Sequence, residues 1–429
     1  MRGGSPQADP RRRPRRRCLP DTLPWGLVIC RPAVGTCLNL SAMTPQTTRL
    51  RLVPMRPRDP HEPGRTASSL ELFFDLVFVV AVSVAAAQLH HALSEKHIAD
   101  GVMSYAMVFF AVWWAWMNFT WFATSFATDD WLYRVLTIVQ MSGVLVVAAG
   151  IEPVFADHDF TVVVFGYVVM RVAMIAQWLR ASRSAGESRQ VTLRYAGGIA
   201  IVQVLWLTTL VMSESLVIIA WCVFVLAELA VPLVAERRWT TPRHPHHITE
   251  RYGLFTLILL GESLLASANA IFDAVHEHEH LGKLIALSVL MLVVTAALWW
   301  IYFWPPHHTA ITTFARSIRY GYVHYFVFAA AGAFSAGIEV EIDSITHHTE
   351  LSELAASYTV TIPIAIFVVG IWWIAVRDNA DRVVNIVVPV GAVLVLLDPL
   401  IPVPFALTAL FMALIVVTLV VRPPVERSA

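Results

Sequence analysis

The chain of 429 residues is 57% apolar and only 14% charged. Soluble globular proteins carry about 25% charged residues, so this composition excludes an ordinary soluble domain. Lys plus Arg and Asp plus Glu are equal at 31 each, and the net charge therefore identifies no class of partner. The four cysteines form neither a disulfide framework nor a zinc motif; they are Cys18, Cys30, Cys37 and Cys222.

Residues 1–65 differ in composition from the rest of the chain. They contain two arginine runs, many prolines and no sustained periodicity, which predicts a disordered cytoplasmic leader. A secretory signal would need about 7–15 consecutive apolar residues, and the apolar run 25–30 is too short. We expect no nucleic-acid partner for this leader. An alternative is that translation begins later, at Met43 or Met55.

Twelve stretches of the sequence have the length and apolarity of membrane spans. The hydrocarbon core of a bilayer is about 30 Å thick and needs roughly 20 helical residues. We therefore predict an all-α, polytopic helical membrane protein with about twelve transmembrane helices. The predicted spans are 70–92, 101–124, 133–151, 160–180, 195–213, 215–235, 252–272, 283–304, 320–338, 353–376, 383–398 and 400–421.

The charges between these spans predict the orientation, because cytoplasmic loops retain Lys and Arg. With the N-terminus placed inside, the opposite face carries only Lys96 and Lys283 and is otherwise acidic. The pattern predicts an inner (plasma) membrane protein with both termini in the cytoplasm. The arginines that then fall inside are Arg134, Arg180, Arg183, Arg189, Arg194, Arg237, Arg238, Arg243, Arg251, Arg316, Arg319, Arg377, Arg382, Arg422 and Arg427.

The two halves of the chain share landmarks at an offset of 186–188 residues, which favours an internal duplication over chance recurrence. Six spans in each half would give both halves the same orientation, with a pseudo-two-fold axis along the membrane normal. The predicted domains are a first repeat over 66–236, a cytoplasmic linker over 237–250, a second repeat over 251–422 and a tail over 423–429. The landmark pairs are Asp75 with Glu262, Trp113-Trp114 with Trp299-Trp300, Gly150 with Gly337, and Arg194 with Arg382.

Ionisable residues inside the spans are the candidate functional residues, because a charge at the bilayer centre costs roughly 2.5–3.5 kcal/mol on insertion scales. Glu71 and Asp75 are four residues apart and share one face of the first span. Both lie near the cytoplasmic end of the span. Their alternative role is structural: the side chains extend to the membrane interface or complement the positive end of the helix dipole. Glu262 lies ten residues inside the seventh span, about 15 Å deep, beside Gly261.

Two further intramembrane residues have open roles. Arg171 in the fourth span is expected to pair with Asp75 or Glu262, or to extend to the interface beside Arg180. His324 could relay protons, although a hydrogen-bonded structural histidine is the commoner case. Loop histidines such as 276, 278 and 280 are expected to be solvated and dispensable, so we predict no metal site.

Three stretches together resemble the bacterial low temperature requirement A (LtrA) family. They are Glu71-Leu-Phe-Phe-Asp-Leu-Val-Phe78, Val112-Trp-Trp-Ala-Trp116, and His247-Ile-Thr-Glu-Arg-Tyr-Gly-Leu-Phe-Thr-Leu-Ile-Leu-Leu-Gly-Glu262 followed by Leu298-Trp-Trp-Ile-Tyr302. The resemblance covers roughly residues 66–422 and implies a multi-spanning plasma-membrane protein associated with growth in the cold. It brings no settled substrate and no accepted catalytic residues. Glu250 and Arg251, which lie in the third stretch, are further candidate pathway residues.

These features lead to one functional hypothesis and one alternative. Buried carboxylates bind cations or titrate, so we expect a transporter or channel for an unknown small solute or ion, coupled to protons or another cation. Asp75 and Glu262 would approach each other across the pseudo-axis, with Arg171 or water between them. The alternative is a sensor or lipid-interacting protein in cold adaptation. We find no nucleophile or phosphate-binding loop, and so expect neither an enzyme nor a cofactor; the oligomeric state is not readable.

Overall fold

The structure is a computed structural model that describes residues 52–277, 280–401 and 405–425. Within these ranges the secondary structure is helical and no strand occurs. The helices are α1 (Ser69–Ser94), α2 (Ile98–Phe126), α3 (Trp131–Ala149), α4 (Ile151–Asp157), α5 (Thr161–Ser182), α6 (Arg189–Thr208), α7 (Glu214–Ala235), α8 (Pro245–Glu277), α9 (Leu281–Phe303), α10 (Phe314–Thr346), α11 (Glu353–Ile371), α12 (Arg382–Leu397) and α13 (Ala406–Val421).

The prediction of an all-α polytopic protein is confirmed. In the described part of the chain, 11 helical segments are long and apolar enough to cross a membrane, and α3 with α4 counts as one of them. The twelfth, α13, is apolar but has only 16 residues. Exposed leucines, valines and isoleucines cover the outer faces of the bundle, as expected where helices meet lipid.

Polar side chains define where several helices begin. Ser68 and Glu71 form a capping box at the start of α1, in which each side chain bonds the backbone N–H of the other residue. Asp130 caps α3 through Tyr133 N, and Asp381 caps α12 through Val384 N. These bonds satisfy N–H groups that have no partner within the helix.

Helices α1, α8 and α10 pack against one another in the middle of the bundle. In the first half, contacts run α1–α2, α1–α3, α3–α5, α5–α6 and α6–α7. In the second half they run α8–α9, α8–α10, α10–α11, α11–α12 and α12–α13, in the same order. This parallel fits the predicted duplication, which stays a prediction.

Several sequence boundaries are corrected by the structure. Residues 52–65 were assigned to the disordered leader, yet Met55 is buried and Arg58 N bonds Ser125 O at 2.9 Å. Residues 1–51 lie outside the described residues. The predicted linker is shorter, because α8 already begins at Pro245. Helix α10 extends to Thr346, so acidic residues placed in an outer loop belong to a helix instead.

We call residues 52–66 the strap and the end of the bundle at which they lie the leader end. The strap is tied to the starts and ends of several helices. Val53 N donates to Asp130 Oδ2 at 2.9 Å, and Arg180 donates both to Val53 O and to the Asp130 carboxylate. Arg65 donates to Ala123 O at 3.0 Å. The strap therefore covers the leader end of α2 and α3.

Candidate charged site between α1 and α8

Helices α1 and α8 bring four ionisable side chains together near the leader end. Glu71 and Asp75 are one turn apart on α1, and His247 and Arg251 are one turn apart on α8. The same spacing on both helices makes the two pairs face each other. We call these four residues the charge cluster; each is at most 2% exposed.

Asp75 and Arg251 form a bidentate ion pair at the centre of the charge cluster. Arg251 Nε and Nη2 donate to the two Asp75 oxygens at 2.7 and 2.5 Å. Trp116 of α2 adds a third donor, with its Nε1 2.6 Å from Asp75 Oδ1. The guanidinium also lies 5.8 Å from the centre of the Phe119 ring. Asp75 thus has both oxygens hydrogen-bonded in an aromatic environment.

Glu71 is less completely satisfied. Its Oε2 accepts from Ser68 N and Oγ, both at 2.8 Å. Its Oε1 lies 3.2 Å from His247 Nε2 and 3.4 Å from Arg251 Nη1, but none of these three buried atoms has a hydrogen-bond partner. Buried polar groups without partners are uncommon and point to a role beyond packing, or to a bound water or ion.

The charges within the cluster do not balance when His247 is neutral. Two carboxylates then face one guanidinium, and the excess is one negative charge in a water-poor environment. A proton on His247, or a small cation beside Glu71 Oε1, would restore neutrality. Arg65 of the strap and Tyr133 of α3 are the charged and polar neighbours of Glu71; the Arg65 Nε and the Tyr133 hydroxyl also lack hydrogen-bond partners.

Two cavities at the leader end approach the charge cluster. The first, of about 710 Å³, is lined by the strap, by the start of α1 including Glu71, and by Tyr133. The second, of about 950 Å³, lies between the strap, residues 240–246 and residues 311–314. Glu71 therefore lies between the first cavity, which is large enough for water, and the buried Asp75–Arg251 pair.

Glu250 lies between the two charge-cluster residues of α8 in sequence, and Glu262 lies about three turns further along the helix. Glu250 accepts from Ala67 N at 3.1 Å and so joins the starts of α1 and α8. Glu262 accepts from Ser83 Oγ of α1 at 2.7 Å and is half-buried at the edge of the α1–α8 contact. A Cβ atom at Gly261 would meet open space, so this glycine does not bring another helix close.

Arg171 does not join Asp75 or Glu262, and the prediction of those partners is wrong. Instead Arg171 Nη2 lies 3.1 Å from Glu228 Oε1 of α7 and 2.7 Å from the Tyr167 hydroxyl. Trp114 Nε1 also donates to Glu228, at 2.8 Å. Glu228 sits in an otherwise apolar span, and that isolation was the signal that could have identified the pair.

His324 belongs to a hydrogen-bonded ring of two histidines and two tyrosines. His324 Nδ1 bonds Tyr320 O at 2.7 Å, and His307 Nε2 bonds Tyr302 O at 2.6 Å, so each of these nitrogens carries a proton. Tyr302 and Tyr320 then donate to the remaining nitrogens of His324 and His307, at 3.1 and 3.0 Å. With one proton on each imidazole, every ring nitrogen has a hydrogen-bond partner, which matches the structural alternative better than a relay.

Another cluster of ionisable residues lies at the end of α1 that is opposite the leader end. The sequence analysis did not predict it as a site. His90 lies 3.2 Å from Glu339 and 2.7 Å from Asp343, both on α10. Ser94 Oγ also donates to Asp343, at 2.7 Å. The one-turn spacing of Glu339 and Asp343 was the available signal, but both had been placed in a loop.

The structure describes only some of the loop histidines that were predicted to be solvated. His278 lies outside the described residues, as does the side chain of His276. His244 bonds Glu62 O at 2.9 Å, and the ring of His246 stacks on that of His308. In the described ranges no three His, Cys, Asp or Glu side chains are grouped so as to hold a metal ion.

The sequence profile of the bacterial low temperature requirement A protein (LtrA) matches residues 66–421. The chain belongs to the LtrA family. This confirms the resemblance, and with the apolar helices it makes the chain a multi-pass membrane protein. An uncharacterized protein of Rhizobium meliloti (strain 1021) is 31% identical over 247 residues, which are 55% of this chain and 58% of that relative. The stretches that carried the resemblance supply all four residues of the charge cluster.

Proposed function

We propose that this LtrA protein is a transporter or channel for a small solute or ion, coupled to protons or another cation, and not an enzyme. The observation that carries the proposal is a polar stripe along α1. Glu71 and Asp75 lie near one end of this helix, Ser83 in its middle, and His90 near the other end. These residues fall on one side of the helix, because their spacings are multiples of about one turn.

At three positions along α1, residues of the polar stripe contact ionisable residues of neighbouring helices; we call these positions levels. The leader-end pair meets His247 and Arg251, Ser83 meets Glu262, and His90 meets Asp343 of α10. A charged residue on each level of one interface is costly in a membrane and is typical of ion and proton pathways. Between the levels α1 buries apolar residues such as Phe78 and Ala85, so this pathway would be closed.

In the proposed mechanism the charge cluster is the coupling site. A proton or cation enters from the 710 Å³ cavity and occupies the space beside Glu71 Oε1. It neutralises the excess negative charge and weakens the attraction of Arg251 for the carboxylates. Loss of that attraction would loosen α8 from α1 and let the cation move toward Glu262. We further propose that the leader end faces the cytoplasm of a plasma-membrane protein, because arginines concentrate there.

The experiment is proton flux into proteoliposomes that contain a pH-sensitive dye, driven by a Na⁺ or K⁺ gradient. Wild-type protein is compared with Glu71→Gln and Glu262→Gln, which keep the side-chain shape. Glu187→Gln is the control, because Glu187 is an exposed carboxylate between α5 and α6 that lines neither cavity at the leader end. We expect Glu71→Gln and Glu262→Gln to lose at least nine-tenths of the flux, and Glu187→Gln to retain it.

Two results would contradict the proposal. The first is wild-type flux no greater than that of empty liposomes under both gradients. The second is unchanged flux in the folded Glu71→Gln, Glu262→Gln double variant. Either result would favour the alternative, a sensor or lipid-interacting protein. The observation that supports this alternative is the Asp75 carboxylate, whose two oxygens are hydrogen-bonded as in a structural ion pair.

A further inference from the structure

A separate cavity lies between α2, α5, α6 and α7, at the end of the bundle opposite the strap. Its volume is about 210 Å³, equal to that of about seven liquid water molecules. Its more exposed lining residues are 158–161, at the start of α5, and Thr209, Leu210 and Met212, after α6. We call this end of the cavity the mouth. We call it the aromatic cavity for the rings that line it, which are those of Phe110, Phe160, Tyr167, Trp206 and Trp221.

Hydrogen bonds to a buried ion pair hold two of these rings in place. The Tyr167 hydroxyl accepts from Arg171 at 2.7 Å, and Trp206 Nε1 donates to Glu228 at 3.3 Å. Because Arg171 and Glu228 neutralise each other, this side of the cavity adds no net charge. These two rings are thus fixed before any ligand arrives, which lowers the ordering cost of binding.

The charge at the mouth is negative. Asp159 lines the cavity and is exposed, and its Oδ1 accepts from Thr161 N at 2.8 Å. The hydroxyl and backbone N–H of Thr161 lower the pKa of Asp159, so this carboxylate is ionised at neutral pH. Neither lysine nor arginine lines this cavity in the described part of the chain.

We propose that the aromatic cavity binds a small organic cation with an apolar body, such as an alkylated ammonium compound. Aromatic faces attract cations through their quadrupole and exclude water from the apolar part of the ligand. Asp159 supplies the counter-charge at the mouth, where a positive head group would lie. The dimensions suit a ligand with about one ring and a few methyl groups. This binding is independent of the proposed transport, since the cavity shares no residue with the charge cluster.

Binding is tested by isothermal titration of the full chain in detergent, with detergent alone as the blank. The probes are benzyltrimethylammonium, the neutral benzyl alcohol and the anionic phenylacetate, which share one aromatic ring. We expect saturable one-to-one binding of the cation, at least tenfold weaker binding of the alcohol and none of the anion. Equal affinity for the alcohol would overturn the cationic class, and preference for phenylacetate would show that Arg171 recognises the ligand instead.

Variants locate the binding to this cavity. Trp221→Leu keeps an apolar side chain but removes a ring, so it should weaken cation binding by about tenfold. Trp299→Leu is its control, because Trp299 is exposed on α9. Asp159→Asn should weaken binding severalfold at low salt and less at high salt, whereas Asp157→Asn, at an exposed carboxylate two residues away, should not. Unchanged affinity in both Trp221→Leu and Asp159→Asn, or no cation binding by the wild type, would overturn the proposal.

Discussion

At the scale of single residues, this protein keeps charges inside the bundle by pairing them almost completely. Asp75 and Arg251 share two hydrogen bonds, and Arg171 and Glu228 form an equally buried pair. Removing one member of such a pair typically costs about 3–5 kcal/mol, because the other charge is left without compensation. Glu71 is less completely paired, because its Oε1 has no hydrogen-bond partner, as is also true of Glu341 Oε1 and Asp398 Oδ1. A site for a proton or cation is most easily placed where the pairing is incomplete.

The strap provides a prediction at this scale. Asp130 joins Arg180 and Val53 and is buried, so Asp130→Asn should release the strap and raise the rate of trypsin cleavage after Arg58 about tenfold or more. The control is Asp129→Asn, because Asp129 is exposed and pairs only on the surface with Arg134. Cleavage measured by mass spectrometry checks this, and equal rates for both variants would show that the Asp130 bonds do not hold the strap.

The same contact has a defined dependence on pH. Burial opposes ionisation of Asp130, but the bonds from Arg180 and from backbone N–H groups outweigh it, so its pKa is lowered. A carboxyl group with a lowered pKa stabilises the folded state above its unfolded value of about 3.9 and loses this effect as pH falls through the folded value. Protection of the strap should therefore be constant from about pH 8 to pH 5 and disappear only below about pH 4.

At the scale of helices, close contacts are made where glycine replaces a side chain. A Cβ atom on Gly166 of α5 would lie 2.7 Å from Val147 N of α3, and the backbone cannot yield easily. Gly337 of α10 faces the backbone of Thr359 on α11 in the same way. Such contacts are common in membrane proteins because helices gain packing without a hydrophobic driving force. They explain why α3 with α5 and α10 with α11 are closely packed pairs.

This packing predicts the effect of a single methyl group. Gly166→Ala should destabilise the protein by about 1–3 kcal/mol, the usual cost of overpacking. Gly197→Ala is the matched control, since Gly197 is also in a helix but a Cβ atom there meets open space. That change should be neutral or slightly stabilising, because alanine favours helices. Thermal unfolding in detergent measures both, and an undiminished midpoint for Gly166→Ala would contradict the close α3–α5 contact.

At the scale of the whole molecule, the two halves repeat one order of helix contacts and meet along α1, α8 and α10. The charge cluster lies at this meeting place, with two residues from each half. A relative movement of the halves would therefore act directly on the Asp75–Arg251 pair. The proposed pathway needs both halves, whereas the aromatic cavity lies within the first half alone.

Orientation is tested at this scale by reporter fusions. Fusions after Arg189, Arg243 and Arg316 should report the cytoplasm, and fusions at Asp157 and Thr346 should report the periplasm. The two groups act as controls for each other, since each reporter must be active in one compartment and silent in the other. A single loop on the wrong side of the membrane would contradict the prediction of six spans in each half.

The sequence alone determined the membrane class, the positions of most helices and the family. Apolar runs of about 20 residues leave few alternatives to spanning helices, since every backbone polar group must be satisfied within the bilayer. The family motifs also included the charge cluster: Glu71 and Asp75 stood out as charges at helical spacing, and Arg251 lies in the third stretch. These features depend on local composition and periodicity, which a single sequence contains in full.

Only the tertiary structure decided which charges pair. Arg171 could reach several helices, and its pairing with Glu228 rather than Asp75 depends on how α5 and α7 are placed. The role of His247 was likewise hidden, because the histidine had been assigned to a loop and not to the first turn of α8. The charged partners Arg171 and Glu228 are 57 residues apart in the chain, and Asp75 and Arg251 are 176 apart. Nothing local encodes the rotation of one helix about its axis against another. The aromatic cavity arises for the same reason, from rings on four helices that no sequence motif connects.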